Sequence, residues 1–92
     1  MKRKELSKLI IGIVVQIQNI SGRKVPSVIN ERTVPIGGLP GFDSLNGLEL
    51  TMMLPDEIKW GGKNLCVSDD GRRALTIREI VVRLLQAENH SD

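Results

Sequence analysis

Residues 22 to 42 hold Pro26, Pro35 and Pro40 together with Gly22, Gly37, Gly38 and Gly41. Proline removes a backbone donor and fixes φ, and glycine adds conformational freedom, so regular structure is not expected there. The stretch divides a chain of 92 residues into a segment before it and a longer segment after it. A connection this long in a compact domain is unusual and is more often functional than not.

Around that connection the apolar residues recur at helical steps. Leu6, Leu9, Ile10, Ile13, Ile17 and Ile20 predict a helix over residues 4 to about 20, with Lys8, Gly12, Gln16 and Asn19 as its polar strip and Ser21-Gly22 as its stop. The β-branched run from Ile10 to Ile17 pulls the other way, toward a strand. A second helix is expected over residues 43 to 54, capped by Asp43 and opened by Ser44. At 100° per residue, Leu50, Met53 and Leu54 fall on one side and Leu45, Leu48 and Met52 roughly on the other. A helix with two apolar stripes in so small a domain is expected to bury one and show the other. Pro55 either ends this helix or opens a short one over Pro55 to Trp60, which Gly61-Gly62 would stop. Thr76-Ile77-Arg78-Glu79 has the form of a capping box, with Leu75 and Ile80 as the hydrophobic staple. Ile77, Ile80, Val81, Leu84 and Leu85 form the core face of that last helix, which is expected to fray after Gln86 and leave residues 87–92 as a tail. The sum is an all-α fold, a small three-to-four-helix bundle in a single domain over residues 1–92, with a long loop between the first and second helices.

A chain of this length buries only about 60–65% of its unfolded surface. A deep enzyme pocket would be hard to build from it. One Phe, one Trp and no Tyr leave almost no material for stacking on single-stranded nucleic acid. Lone Cys66 cannot close an internal disulfide, which fits a reducing, cytoplasmic setting, and with no second ligand at metal spacing it is expected to be an inert packed thiol. The basic start Met1-Lys2-Arg3-Lys4 before an apolar run imitates a secretion signal, but no small-residue cleavage site follows, and the run is too short to span a bilayer. Asp69-Asp70-Gly71 is expected to be a turn, Trp60 a cap on the edge of the core, and His90 a free residue of the tail.

The net charge of +2 is unevenly spread. Residues 1 to 32 hold seven basic side chains against two acidic ones. Residues 33 to 58 hold no Lys or Arg, and Asp43, Glu49, Asp56 and Glu57 make them an acidic island. Such an island attracts basic partner surfaces, or is simply a solvated face.

Within the island, Gly41-Phe42-Asp43-Ser44-Leu45 runs into Asn46-Gly47-Leu48-Glu49-Leu50. A serine hydroxyl stands where a loop becomes a helix, and no base for it is visible nearby. The plain reading is an ordinary helix start. Residues 43 to 54, the Gly-apolar pair before them and Leu75 to Leu84 resemble the acyl carrier protein family, a set of small helical bundles in which Asp-Ser-Leu opens the second helix. The resemblance is specific over about 39 to 58 and architectural over 4 to 20. It implies a carrier that is itself no enzyme. A phosphopantetheinyl transferase would attach 4′-phosphopantetheine from coenzyme A to Ser44, with Asp43 implicated in the transferase complex and its metal. Leu45, Leu48, Glu49 and Met52 would dock partner enzymes that load and transfer acyl groups. A monomer is expected, with no nucleic acid, no metal site of its own and no membrane span. The basic balance, Pro55, Gly61-Gly62 and the unmatched residues 61 to 74 point to a specialised bacterial member serving a dedicated fatty-acid, lipid or secondary-metabolite pathway. The competing classes are a carrier-like interaction scaffold without the arm and a small basic nucleic-acid-binding domain, the latter drawn from Arg72, Arg73, Arg78 and Arg83.

Overall fold

A computed structural model describes residues 1–89. Helix α1 spans Arg3–Ile20. Its stripe Leu6, Ile10, Ile13, Val14 and Ile17 is at most 5% exposed, and Gly12 lies on the open side, where an added Cβ would meet no other side chain or segment. The β-branched run stays helical because that stripe is buried by neighbouring helices, and burial of about 1.5–3 kcal/mol per large aliphatic side chain outweighs propensity differences of a few tenths each. Gln18 is the exception on this buried face. It is fully buried, and its Nε2 donates to Pro40 O at 2.7 Å and to Lys24 O at 3.4 Å, while Oε1 has no partner. One amide side chain therefore ties both ends of the long connection to α1.

The connection has one turn of structure, α2, over Pro35–Gly38, whose inner residues Ile36 and Gly37 leave helical geometry. Its other task is to cap the last helix. Helix α4 spans Ile77–Asn89, and the N–H groups that open it find partners outside it: Ile77 N donates to Thr33 O at 2.9 Å, Arg78 N to Glu31 O at 2.9 Å, and Glu79 N to Thr76 Oγ1 at 3.1 Å. Thr76 N donates in turn to the Glu79 carboxylate at 2.9 Å, so the expected capping box is present. That N–H, and then Arg73, hold the Glu79 carboxyl below its ordinary value. Leu75 and Ile80 are both buried, as a staple requires. The helix continues to Asn89, past the expected fraying point at Gln86. His90 and the rest of the tail lie outside the described residues.

Helix α3 spans Ser44–Met52. It stops short of Leu54: Met53 is the C-cap, and Pro55 then supplies no donor to continue the ladder. The short helix considered for Pro55 to Trp60 does not form. That segment holds one turn, Ile58 N to Pro55 O at 2.9 Å, and then runs irregularly into Gly61-Gly62. The second connection is therefore not partly helical.

α1 packs against both α4 and α3, and α2 packs against α3. The core between them takes Leu39 and Phe42 from the first connection and Leu65, Cys66 and Leu75 from the second. Residues 67 to 74 fold back on themselves through a single antiparallel bridge, Val67 with Ala74, across a turn closed by Gly71 N to Ser68 O at 2.8 Å. Gly71 sits at φ +73°, which glycine adopts without strain. The described residues thus form an all-α structure of four helices with no strand. None of these helices is long and apolar enough to cross a membrane.

Burial pushes the Cys66 thiol up from 9.0 to about 12. The native state therefore keeps this proton where the unfolded chain releases it, and stability falls as pH rises above 9.0. In the folded protein at pH 8 a thiol reagent is expected to leave Cys66 unmodified for hours, and to modify it within minutes in denaturant. Rapid labelling without denaturant would show that the second connection opens independently of the core.

Candidate functional site

Asp43 and Asn46 build the head of α3 reciprocally. Asn46 N donates to Asp43 Oδ1 and Asp43 N donates to Asn46 Oδ1, both at 3.1 Å. The pair acts as a capping box with asparagine where Glu or Gln is usual. Ser44 follows as the first helical residue. It is exposed, and its hydroxyl has no hydrogen-bond partner among the described residues. Its carbonyl accepts from Asn64 Nδ2 at 2.8 Å, so the backbone beneath the hydroxyl is tethered while the hydroxyl is free.

The two apolar stripes of α3 separate as expected. Leu50 is completely buried, with Met53 and Leu54 half-buried behind it. Leu45 is 72% exposed, Leu48 41% and Met52 85%. Glu49 is exposed between them, because positions 45, 48, 49 and 52 share one helix face. The structure therefore gathers Asp43, Ser44, Leu45, Leu48, Glu49 and Met52 along one open side of α3. Apolar side chains in such a row mark a contact surface more often than an isolated exposed Leu does.

The opposite side of α3 carries small and polar residues: Asn46, Gly47 and Thr51 are all buried. A Cβ on Gly47 would lie 2.5 Å from Asn64 Oδ1, so the second connection reaches the helix only because position 47 is glycine. Thr51 Oγ1 donates to Gly47 O at 2.8 Å and accepts from Leu65 N at 3.0 Å. Asn64, Gly47 and Thr51 thus clamp residues 64 and 65 onto the buried side.

Asn46 has a further neighbour that sequence spacing alone does not reveal. Arg23 Nη1 donates to its Oδ1 at 2.7 Å, and Asn46 Nδ2 donates to Glu49 Oε1 at 3.2 Å. A neutral amide thus joins one cation and one anion, and Asp43 is its capping partner. The acidic island of the sequence has a guanidinium at its head. Asp43 was expected as the cap, whereas the reciprocal bond from Asn46 was not; the roles of Arg23 and Asn64 arise from contacts across 23 and 20 positions and left no local signal.

Several other arginines are committed within the fold. Arg3 pairs with Glu31 at 2.7 Å, Arg73 with Glu79 at 2.9 Å, and Arg83 with Asp69 at 3.0 Å while stacking over Trp60 at 4.9 Å. The half-buried Trp60 lies at the edge of the core, as expected. A concavity of about 350 Å³ runs along α4 between Ser68 and Val82, and another of about 600 Å³ lies between Leu6, Ile58 and Leu84; Ser44 lines neither. Among the described residues no group of three or more His, Cys, Asp or Glu is placed to hold a metal ion. No family model matches this chain, and neither does any curated protein or solved structure.

Proposed function

We propose that this chain is an acyl carrier whose Ser44 receives a 4′-phosphopantetheine arm in a dedicated acyl-processing pathway of the cytoplasm. The observation that carries the reading is the combination at α3: a free, exposed hydroxyl on the first helical residue, beside a row of exposed apolar and acidic side chains. In the attachment step a transferase would remove the proton from Ser44 Oγ. The oxygen would attack the β-phosphorus of coenzyme A, a new O–P bond would form, and the pyrophosphate P–O bond would break to release adenosine 3′,5′-bisphosphate. Once attached, the arm supplies a thiol that holds acyl groups as thioesters.

The chain's own residues contribute presentation. Asp43 fixes the head of α3 and keeps a carboxylate at the entrance. The partial positive charge of the helix start favours a phosphodiester there over one in an unstructured loop. Asn64 holds the Ser44 carbonyl so that only the side chain is offered. Among the described residues no side chain accepts a hydrogen bond from the Ser44 hydroxyl, which suits a group that is modified by a partner and does no nucleophilic chemistry of its own. Leu45, Leu48, Glu49 and Met52 offer the partner an apolar and acidic contact. A nucleic-acid role draws less support, because Arg73 and Arg83 are held by Glu79 and Asp69 and Arg83 is turned into the fold.

Intact-protein mass spectrometry after incubation with coenzyme A, Mg²⁺ and a broad-specificity phosphopantetheinyl transferase tests the reading. The expected result is a gain of one phosphopantetheine in the native chain and none in Ser44→Ala. No gain with several transferases, in a chain whose circular dichroism is helical, would sink it and leave an interaction scaffold.

A further inference from the structure

Arg23 differs from the other fixed arginines of this chain. Arg3, Arg73 and Arg83 each reach a carboxylate, whereas Arg23 is in none of the ion pairs among the described residues. Its side chain is nevertheless held. Nη1 donates to Asn46 Oδ1 at 2.7 Å, and its backbone N–H donates to Gln18 O at 2.8 Å. Gly41, at φ +70°, leaves the space it occupies: a Cβ there would lie 2.8 Å from Nε, 2.9 Å from Cδ and 3.2 Å from Cζ. A guanidinium has five N–H donors, and this half-buried one spends a single donor on a neutral amide. A cation placed against the head of a helix meets the positive end of the dipole, and the nearby carboxylates of α3, Asp43 and Glu49, accept from Asn46 and form no ion pair with the guanidinium.

We infer that Arg23 selects the enzyme that engages α3: the docking surface of that enzyme must offer a carboxylate to Arg23 next to cations for Asp43 and Glu49. The inference rests on the carrier reading. The occupant follows from charge complementarity along the row. The exposed apolar side chains of Leu45, Leu48 and Met52 need an apolar groove, Asp43 and Glu49 need cations, and Arg23 at the head needs an anion. A uniformly basic surface matches all of this row except its head, where it meets a fixed like charge. Like-charge juxtaposition at an interface suppresses the wrong partner.

The test uses the full chain and two phosphopantetheinyl transferases of unlike surface charge, one with a uniformly basic carrier-binding surface and one with a carboxylate within that surface. Modification of Ser44 is followed at low and high ionic strength for the native chain and for Arg23→Lys, Arg23→Gln and Arg23→Glu, with thermal unfolding of each variant in parallel. With the uniformly basic enzyme, Arg23→Glu is expected to lower KM by roughly five- to tenfold with kcat unchanged, and 0.5 M salt is expected to erase the gain. With the other enzyme, Arg23→Gln is expected to raise KM by a similar factor and Arg23→Lys to restore much of it. KM values within twofold of the native chain for Arg23→Gln and Arg23→Glu with both enzymes, in variants that remain folded, would overturn the inference and leave the carrier reading intact. A folded native chain that neither enzyme modifies would overturn both.

Discussion

Replacing Arg83 by Met is expected to destabilise the protein by about 2–4 kcal/mol, a fall in Tm of roughly 10–20 °C for a domain of this size. Arg83 fastens the middle of the second connection to α4, while the Arg73–Glu79 pair holds its end near the helix start. Its Nη1 donates to Val67 O, to Leu65 O at 3.1 Å and, more weakly, to Asn64 O at 3.5 Å; Nη2 reaches Asp69, and the guanidinium lies over Trp60. Three carbonyls of a segment that contains the fully buried Leu65 and Cys66 depend on it. Methionine keeps the stem's apolar packing and removes every donor, so the loss isolates the polar contacts. Arg83→Lys is expected to recover less than half, because an ammonium on a flexible stem cannot present the planar fork that spans several acceptors. Arg72→Ala, at an exposed position one turn from this cluster in sequence, is the control and is expected to stay within about 0.5 kcal/mol. Urea unfolding of the four proteins decides the matter. A loss below about 1 kcal/mol for Arg83→Met would mean that water replaces the guanidinium at those carbonyls and that the segment is held by Leu65 and Cys66 alone.

The helices were largely legible in the sequence because their information is local. Leu6, Ile10, Ile13 and Ile17 state their period within a few turns, and Thr76 with Glu79 states a helix start within four residues. The division of α3 into a hidden and an open stripe was legible too, since so small a chain has little to cover both stripes of one helix. What stayed hidden is how the connections hold the helices. Gln18 has no place in the apolar period of α1 and is a fully buried strut. Residues 61 to 74 matched nothing in the resemblance, and their Leu65-Cys66 centre is core. Arg83 looked like part of a basic series and faces inward. Each of these roles depends on a partner fourteen or more positions away, such as Arg83 with Asp69 or Leu65 with Thr51. Periodicity and propensity describe neighbours along one element and carry no record of such pairs. The candidate site divides in the same way: Asp43, Ser44 and the exposed row came from one short run of sequence, whereas Arg23 and Asn64, which frame it, came only from the fold.

Gly47→Ala is expected to reverse the usual sign of a glycine substitution. In the interior of a helix, alanine is ordinarily favoured over glycine by about 1 kcal/mol. Gly12 of α1 meets those conditions, with an exposed position, no positive φ and open space around it, so Gly12→Ala is expected to stabilise by about 0.5–1 kcal/mol. At Gly47 a new Cβ would lie 2.5 Å from Asn64 Oδ1, 3.0 Å from Nδ2 and 3.1 Å from Cγ. Asn64 cannot simply turn aside, because its Oδ1 accepts from Cys66 N at 3.0 Å while its Nδ2 donates to Ser44 O at 2.8 Å. Displacing it costs both bonds and strains the clamp at Leu65, for a net loss of about 1–3 kcal/mol. The decisive comparison is a double-mutant cycle with Asn64→Ala. Asn64→Ala alone loses the two bonds and opens the space, so adding Gly47→Ala to it is expected to stabilise, as at Gly12. Equal destabilisation by Gly47→Ala in both backgrounds would refute a steric origin in Asn64. The same cycle bears on Ser44: when the tether to its carbonyl is lost, the first turn of α3 frays. Amide exchange at residues 44 to 47 is then expected to accelerate in Gly47→Ala and Asn64→Ala alike, while exchange in α1 keeps its global protection relative to each variant's own stability.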